Sequence, residues 1–190
     1  MIKIGITGGI CSGKSTVCSY IEKLGYDVFY SDQSAINLAE TNLFLKNSII
    51  EKFGPESYLP NGSYNRKYIA GIVFSDKPQL DLINSLFSPY LFQEFEDYCV
   101  GKEVIFYESA LIFEHNLAEK FDYVVCVYAN KQTVVKRLKE RNNFTDEEIE
   151  NRINSQLDPL IKLKLSNYWL TTSNGQYKKQ VKILINKILS

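Results

Sequence analysis

One short stretch near the start of the chain, Gly8-Gly9-Ile10-Cys11-Ser12-Gly13-Lys14-Ser15-Thr16, decides most of what can follow. It comes directly after an apolar run, Lys3–Thr7, and leads into Ser15–Lys23, which is patterned as a helix. Gly8, Gly13, Lys14 and Ser15 satisfy the spacing G-x-x-x-x-G-K-[ST] in the context of strand, loop and helix. Small glycines let successive backbone N–H groups turn inward on one anion, and the helix start adds positive potential. A loop built this way needs a buried strand before it and a helix packed behind it. The feature therefore commits the chain to an α/β sheet.

The remainder obeys that commitment. Tyr26–Tyr30, Glu103–Tyr107, Tyr123–Tyr128 and Tyr168–Thr171 read as four further strands, and YVVCVY is apolar on both faces, as a central parallel strand is. Tyr177–Leu189 closes the chain as an amphipathic helix with Val181, Leu184, Ile185 and Ile188 on one face. The expected fold is a five-stranded parallel sheet flanked by helices. Between strands two and three the rhythm breaks, because Phe44–Phe53, Asn65–Phe74, Lys77–Ser85 and Pro89–Val100 all carry helical patterns. A crossover needs only one helix, so this is a helical insertion. Lys131–Arg141 reads as a basic helix, and Thr145-Asp146-Glu147-Glu148 as a capping box opening another. The expected division is a core of residues 1–35, 101–135 and 165–190, an insertion over 36–100 and a lid over 136–157, all within one unit.

Bulk properties remove several classes of function. At 190 residues the chain supports one well-buried core. Lys plus Arg equal Asp plus Glu at 22 each, so nothing suggests a nucleic-acid surface. No apolar run approaches a membrane span, and the N-terminus lacks the pattern of a signal peptide, so a cytoplasmic protein is expected. Cys11, Cys18, Cys99 and Cys126 form no CxxC pair, and reduced thiols are the expected state. The single histidine, His115, reads as a solvated helix start rather than a general base.

The loop is a Walker A motif by spacing, with Gly8, Gly9, Cys11, Ser12, Gly13, Lys14, Ser15 and Thr16 as nucleotide-binding positions. Lys14 would reach the β- and γ-phosphates of ATP, and the Ser15 hydroxyl would ligate Mg²⁺. Cys11 fills an unconstrained position, a bystander by default, yet a thiol at a helix N-terminus beside Lys14 is expected to be unusually reactive. A guanine-reading switch would need an Asp where Asn130-Lys131-Gln132-Thr133 offers Thr133. A motor ATPase would show an acidic pair ending strand three, where Glu108 stands alone. A small-molecule kinase remains. Asp32 directly follows strand two and can accept or orient an acceptor's proton, although a helix N-cap explains it nearly as well. Arg137 and Arg141 lie one turn apart and can close over a transferring phosphate, or can share a solvated face with Lys136 and Lys139.

With those residues in hand, the chain resembles the dephospho-CoA kinases from Ile2 to about Gly175. IGITGGICSGKST is similar to their I-G-L-T-G-G-I-G-S-G-K-S-T, and YSDQSA stands at their D-A-D-x-x-A. YNRKYIAGIVF and LINSLFSPYL resemble L-x-R-x-x-L-x-x-x-[IV]-F and L-N-x-[IL]-x-H-P-x-[IL]. ESALIFEHNL resembles D-x-P-L-L-F-E, and VVKRLKERN the lid pattern Q-x-x-R-L-x-x-R. The resemblance implies ATP-dependent phosphorylation of the 3′-hydroxyl of dephospho-CoA, with Asp32, Lys14, Arg137 and Arg141 catalytic. It further implies Asp32 and Arg66 on the acceptor, and Ser15 and Glu108 at Mg²⁺. Cys11 replaces a glycine of that pattern, Tyr30 an aspartate, Ile36 an arginine and Ser88 a histidine. Glu108 and Ala110 replace Asp and Pro, and Val134 replaces the lid glutamine. A kinase for another hydroxyl compound such as a nucleoside, and a nucleotide-binding regulator with little turnover, are the alternatives.

Overall fold

The computed structural model describes residues 1–73, 76–141 and 145–190, with the side chain of Arg141 outside that set. The chain forms two compact units, Met1–Phe29 with Gly101–Ser190, and Tyr30–Val100.

The sheet contains β1 (Ile2–Thr7), β2 (Asp27–Tyr30), β3 (Val104–Glu108), β4 (Tyr123–Tyr128) and β5 (Tyr168–Thr171), in the order β2-β3-β1-β4-β5. β1 pairs in parallel with β3 and β4, and β4 with β5. Ile4, Ile6, Ile105, Phe106, Val125 and Val127 are fully buried. A parallel sheet is covered on both faces, which is why these strands are apolar at successive positions rather than alternate ones. Helix α1 (Lys14–Lys23) buries Val17, Cys18 and Ile21 against β1 and β3. Farther along the chain, the last helix (Tyr177–Leu189) buries the predicted face Val181, Leu184, Ile185 and Ile188, and packs on α1 and β5.

The helical unit contains α2 (Ser31–Thr41), α3 (Leu43–Phe53), α4 (Arg66–Val73) and α5 (Lys77–Cys99). Its own core gathers Ala39, Leu45, Ile49, Phe53, Tyr58, Ile69, Val73, Ile83 and Phe87. Two predicted helices, Lys77–Ser85 and Pro89–Val100, are one helix of 23 residues with Pro89 inside it. An internal proline removes a backbone donor and costs about 3 kcal/mol. The helix continues because Ile83, Phe87, Phe95 and Cys99 are buried and Leu91 packs on the core, an unbroken i+4 row through the proline. Phe74, the expected end of α4, lies outside the described residues.

Three further helices complete the first unit before the last one: α6 (Lys131–Arg141), α7 (Asp146–Asn154) and α8 (Pro159–Leu165), so that Tyr177–Leu189 is α9. α7 opens with the predicted capping box, Thr145 and Glu148 bonding reciprocally. His115 is not a solvated helix start. It lies half-buried in a turn after β3, with its N–H donating to Leu111 O at 3.0 Å. Among the described residues, no helix is long and apolar enough to cross a membrane.

Candidate active site

The phosphate loop springs from the C-terminal end of the central strand. Ile6 of β1 stands beside Glu108 of β3, and Thr7 beside Cys126 of β4. Gly8 has φ +148°, and a Cβ there would lie 2.1 Å from Val127 O, so the chain leaves the strand through a space only glycine fits. Gly13, at φ +98°, is the cap residue of α1, and a Cβ there would press the Thr172 side chain at 3.0 Å. Lys14 Nζ donates to Gly8 O at 3.1 Å and Gly9 O at 3.2 Å, so the cation folds back over the loop. Glu108 Oε1 lies 3.9 Å from the same nitrogen, and its residue is 8% exposed. Ser15 and Thr16 are exposed in the first turn of α1, where helix N–H groups have no intrahelical partner.

Cys11 carries a backbone cost. Its φ is +51°, in the left-handed region that a residue with Cβ enters at about 1 kcal/mol or more. The side chain is half-buried and packs on Ala129, Val134, Leu138 and Ile149. Cys11→Gly removes the left-handed penalty. We expect its thermal midpoint to rise by about 2–4 °C, the shift that ~1 kcal/mol produces in a chain of this size, as read by a calorimetric melt. Burial pushes the Cys18 thiol up and raises that of Cys126 to about 11.

Arg137 does not sit on a solvated face. Its Nη1 donates to Cys11 O at 3.0 Å and Thr172 Oγ1 at 2.9 Å, and its Nη2 to Thr172 O at 3.2 Å. Thr172 Oγ1 in turn donates to Ser12 O at 2.6 Å. The guanidinium thus ties α6 to the phosphate loop and to the end of β5. Cys11, Gly13, Ser15, Thr16, Arg137 and Glu140 line a depression of about 350 Å³ here. The solvated face belongs to Lys136 and Lys139, exposed and paired with Glu140 and Asp146. The side chain of Arg141 lies outside the described residues. Asn130 is a helix cap, its Oδ1 accepting from Thr133 N at 2.9 Å, which accounts for the Asn-Lys start without any base recognition.

Two partners of the loop carry no motif signal. Besides Thr172, Gln156 Oε1 accepts from Ile10 N at 2.8 Å. Lys162, fully buried, pairs with Glu114 at 2.7 Å and donates to Ala110 O at 2.6 Å. Burial lowers the Lys162 pKa, and the Glu114 carboxylate opposes that shift.

Comparison with known proteins agrees with this geometry. The dephospho-CoA kinase family model matches residues 2–178. The dephospho-CoA kinase of Listeria monocytogenes serovar 1/2a is 32% identical over 185 residues, covering 95% of this chain and 92% of the relative. The chain belongs to the dephospho-CoA kinase family. It is therefore a phosphotransferase with the P-loop kinase fold. The crystal structure of TT1252 from Thermus thermophilus superposes with a TM-score of 0.85 at 26% identity, covering 100% of this chain and 98% of that one. The dephospho-CoA kinase of Campylobacter jejuni, 23% identical, shares the fold with a TM-score of 0.68 over 98% of this chain and 96% of its own.

Several family-pattern positions fall in the helical unit. Asp32 is exposed in the first turn of α2, immediately after β2. The cap position of that helix is Tyr30, so Asp32 is not the N-cap. Ser34 is buried and its hydroxyl donates to the Glu94 carboxylate of α5, which anchors the turn that carries Asp32. Arg66 is exposed at the start of α4, beside Tyr64. Burial raises the Tyr64 pKa, and Tyr58 adds to the shift while Arg66 opposes it. Ile36 and Ser88 are half-buried on α2 and α5.

Proposed function

We propose that this chain transfers the γ-phosphoryl group of ATP to the 3′-hydroxyl of dephospho-CoA, giving CoA and ADP, the last step of coenzyme A synthesis. The observation that carries the reading is the phosphate loop, with Lys14 held across its carbonyls in a chain 32% identical to a dephospho-CoA kinase over almost its whole length. In this reading Gly8, Gly9, Cys11, Ser12, Gly13, Lys14, Ser15 and Thr16 bind the ATP phosphates. Lys14 follows the charge that develops on the transferring group, and Arg137 holds the loop in shape beside it. Asp32 accepts or orients the acceptor hydroxyl's proton, and Arg66 contributes to acceptor binding. The helical unit takes the acceptor, and residues 136–157 serve as the lid, with Arg141 on it.

The residues present suit Mg²⁺, since Ser15 offers a hydroxyl in the first turn of α1 and Glu108 a carboxylate at the end of the adjoining strand. Those two residues would hold the ion, which when bound offsets phosphate charge. We take the cytoplasm as its compartment, since every substrate of this reaction is a water-soluble small molecule.

Incubation with ATP, Mg²⁺ and separate acceptors (dephospho-CoA, nucleosides, nucleoside monophosphates) tests the reading. We expect ADP formation with dephospho-CoA alone. Phosphorylation of a nucleoside instead, or ATP binding without any product, overturns it. Cys11 supplies a second check. Alkylation of this thiol places bulk among the phosphate-binding amides, so it should abolish ATP binding, and bound ATP should slow the alkylation. Equal labelling rates with and without saturating ATP would remove Cys11 from the nucleotide site.

A further inference from the structure

We infer that Gln156 is a positioning residue that holds the phosphate loop in its left-handed turn at Cys11. The inference rests on the loop's reading as a nucleotide site. A non-glycine residue stays in the left-handed region only where its surroundings over-determine it. Here two side chains fix the backbone on either side of Cys11. Arg137 of α6 donates to Cys11 O at 3.0 Å, and Gln156 accepts from Ile10 N at 2.8 Å. One pin comes from α6, the other from the residues just after α7.

Gln156 is itself fixed. Its N–H donates to Ile153 O at 3.3 Å at the end of α7, and the next N–H, that of Leu157, donates to Glu114 Oε1 at 2.8 Å. Glu114 cannot drift, because the same oxygen accepts from Lys162, which is fully buried on α8 and also grips Ala110 O. Ala110 O further accepts from Thr7 Oγ1 at 3.4 Å, just before the loop begins. The chain from Gln156 to Lys162 is thus a clasp with one end on the loop and the other on the turn after β3. Ile10 and Cys11 also pack against the cluster of Ala129, Val134, Leu138 and Ile149, while Ile10 and Gln156 line a cavity of about 350 Å³ with Ser12, Ala129 and Leu157. Gln156 touches no reacting group in this account. It sets the ATP affinity through the loop's shape.

Gln156 matters because residue 11 is a cysteine. With glycine there, the left-handed turn carries no steric penalty and depends less on the pin. The test compares the parent chain with Gln156→Met, Gln156→Glu, Cys11→Gly and the double variant Cys11→Gly/Gln156→Met. Amide hydrogen exchange at Ile10 reads the clasp, and calorimetric titration with ATP reads its effect on the site. Gln156→Met keeps size and loses the acceptor. It should speed Ile10 exchange and weaken ATP binding by about tenfold, the weight of one hydrogen bond. Gln156→Glu keeps the acceptor and should restore Ile10 protection. In the Cys11→Gly background, Gln156→Met should weaken ATP binding by no more than about twofold, a non-additivity that a merely structural role would not produce. Unchanged Ile10 exchange in Gln156→Met, or equal ATP weakening in both backgrounds, overturns the proposal. If the parent does not bind ATP, the nucleotide reading falls, and Ile10 exchange still decides the clasp.

Discussion

Lys14→Ala should lower kcat by a hundredfold or more, with the fold intact. The Nζ group is placed for one purpose, since it lies across the loop against Gly8 O and Gly9 O rather than in solvent. In the proposed reaction a cation held there follows charge onto the γ-phosphate. Removing one such preorganised donor costs about 10²–10³ in rate in other enzymes. Glu108, buried 3.9 Å from this nitrogen, would lose its favourable charge, so a thermal melt must accompany the kinetics. Steady-state turnover with dephospho-CoA checks the expectation. A Lys14→Ala protein that melts normally and turns over near the parent rate would remove the loop from the mechanism.

The strands and the phosphate loop were legible because their signals are local. Apolar runs such as YVVCVY mark a strand buried on both faces, and the glycine and lysine spacing fixes the loop without knowledge of anything distant. The helical unit was legible in outline only. At Pro89 a local helix-breaking signal outweighed the i+4 row from Ile83 to Cys99, and only packing reveals that the row wins. Helix α2 escaped because SDQSAINLAET buries only Ser31, Ser34 and Ala39, leaving little apolar period to read. The site's supporting residues were hidden for a different reason. Gln156 and Thr172 act on backbone atoms of the loop more than a hundred residues away, and a backbone partner leaves no trace in residue type. The same holds for the conformation of Cys11, whose positive φ becomes visible only when the turn is built.

Asp32→Asn separates chemistry from architecture most sharply, and we expect a loss of kcat of roughly two to four orders of magnitude, the range for a positioned acid–base group. The structural alternative is small on physical grounds. Tyr30, not Asp32, occupies the cap position of α2, so an N-cap bond is not at stake. What Asp32 gives the helix is its charge in the first turn, which favours the dipole by about 0.3–1 kcal/mol. Asparagine keeps the size and one carbonyl oxygen, and the Ser34–Glu94 bond that anchors this turn is untouched. Stability should therefore fall by less than about 1 kcal/mol. ATP binding should stay near the parent value, because the loop residues from Gly8 to Thr16 are unchanged. Loss of kcat with intact ATP affinity and an intact fold is the mark of an interaction made in the transition state. The measurements are kcat with dephospho-CoA, an ATP titration and a melt on one preparation. Normal turnover in a stable, ATP-binding Asp32→Asn protein would leave the residue as a first-turn charge and send the search for the base elsewhere in the helical unit.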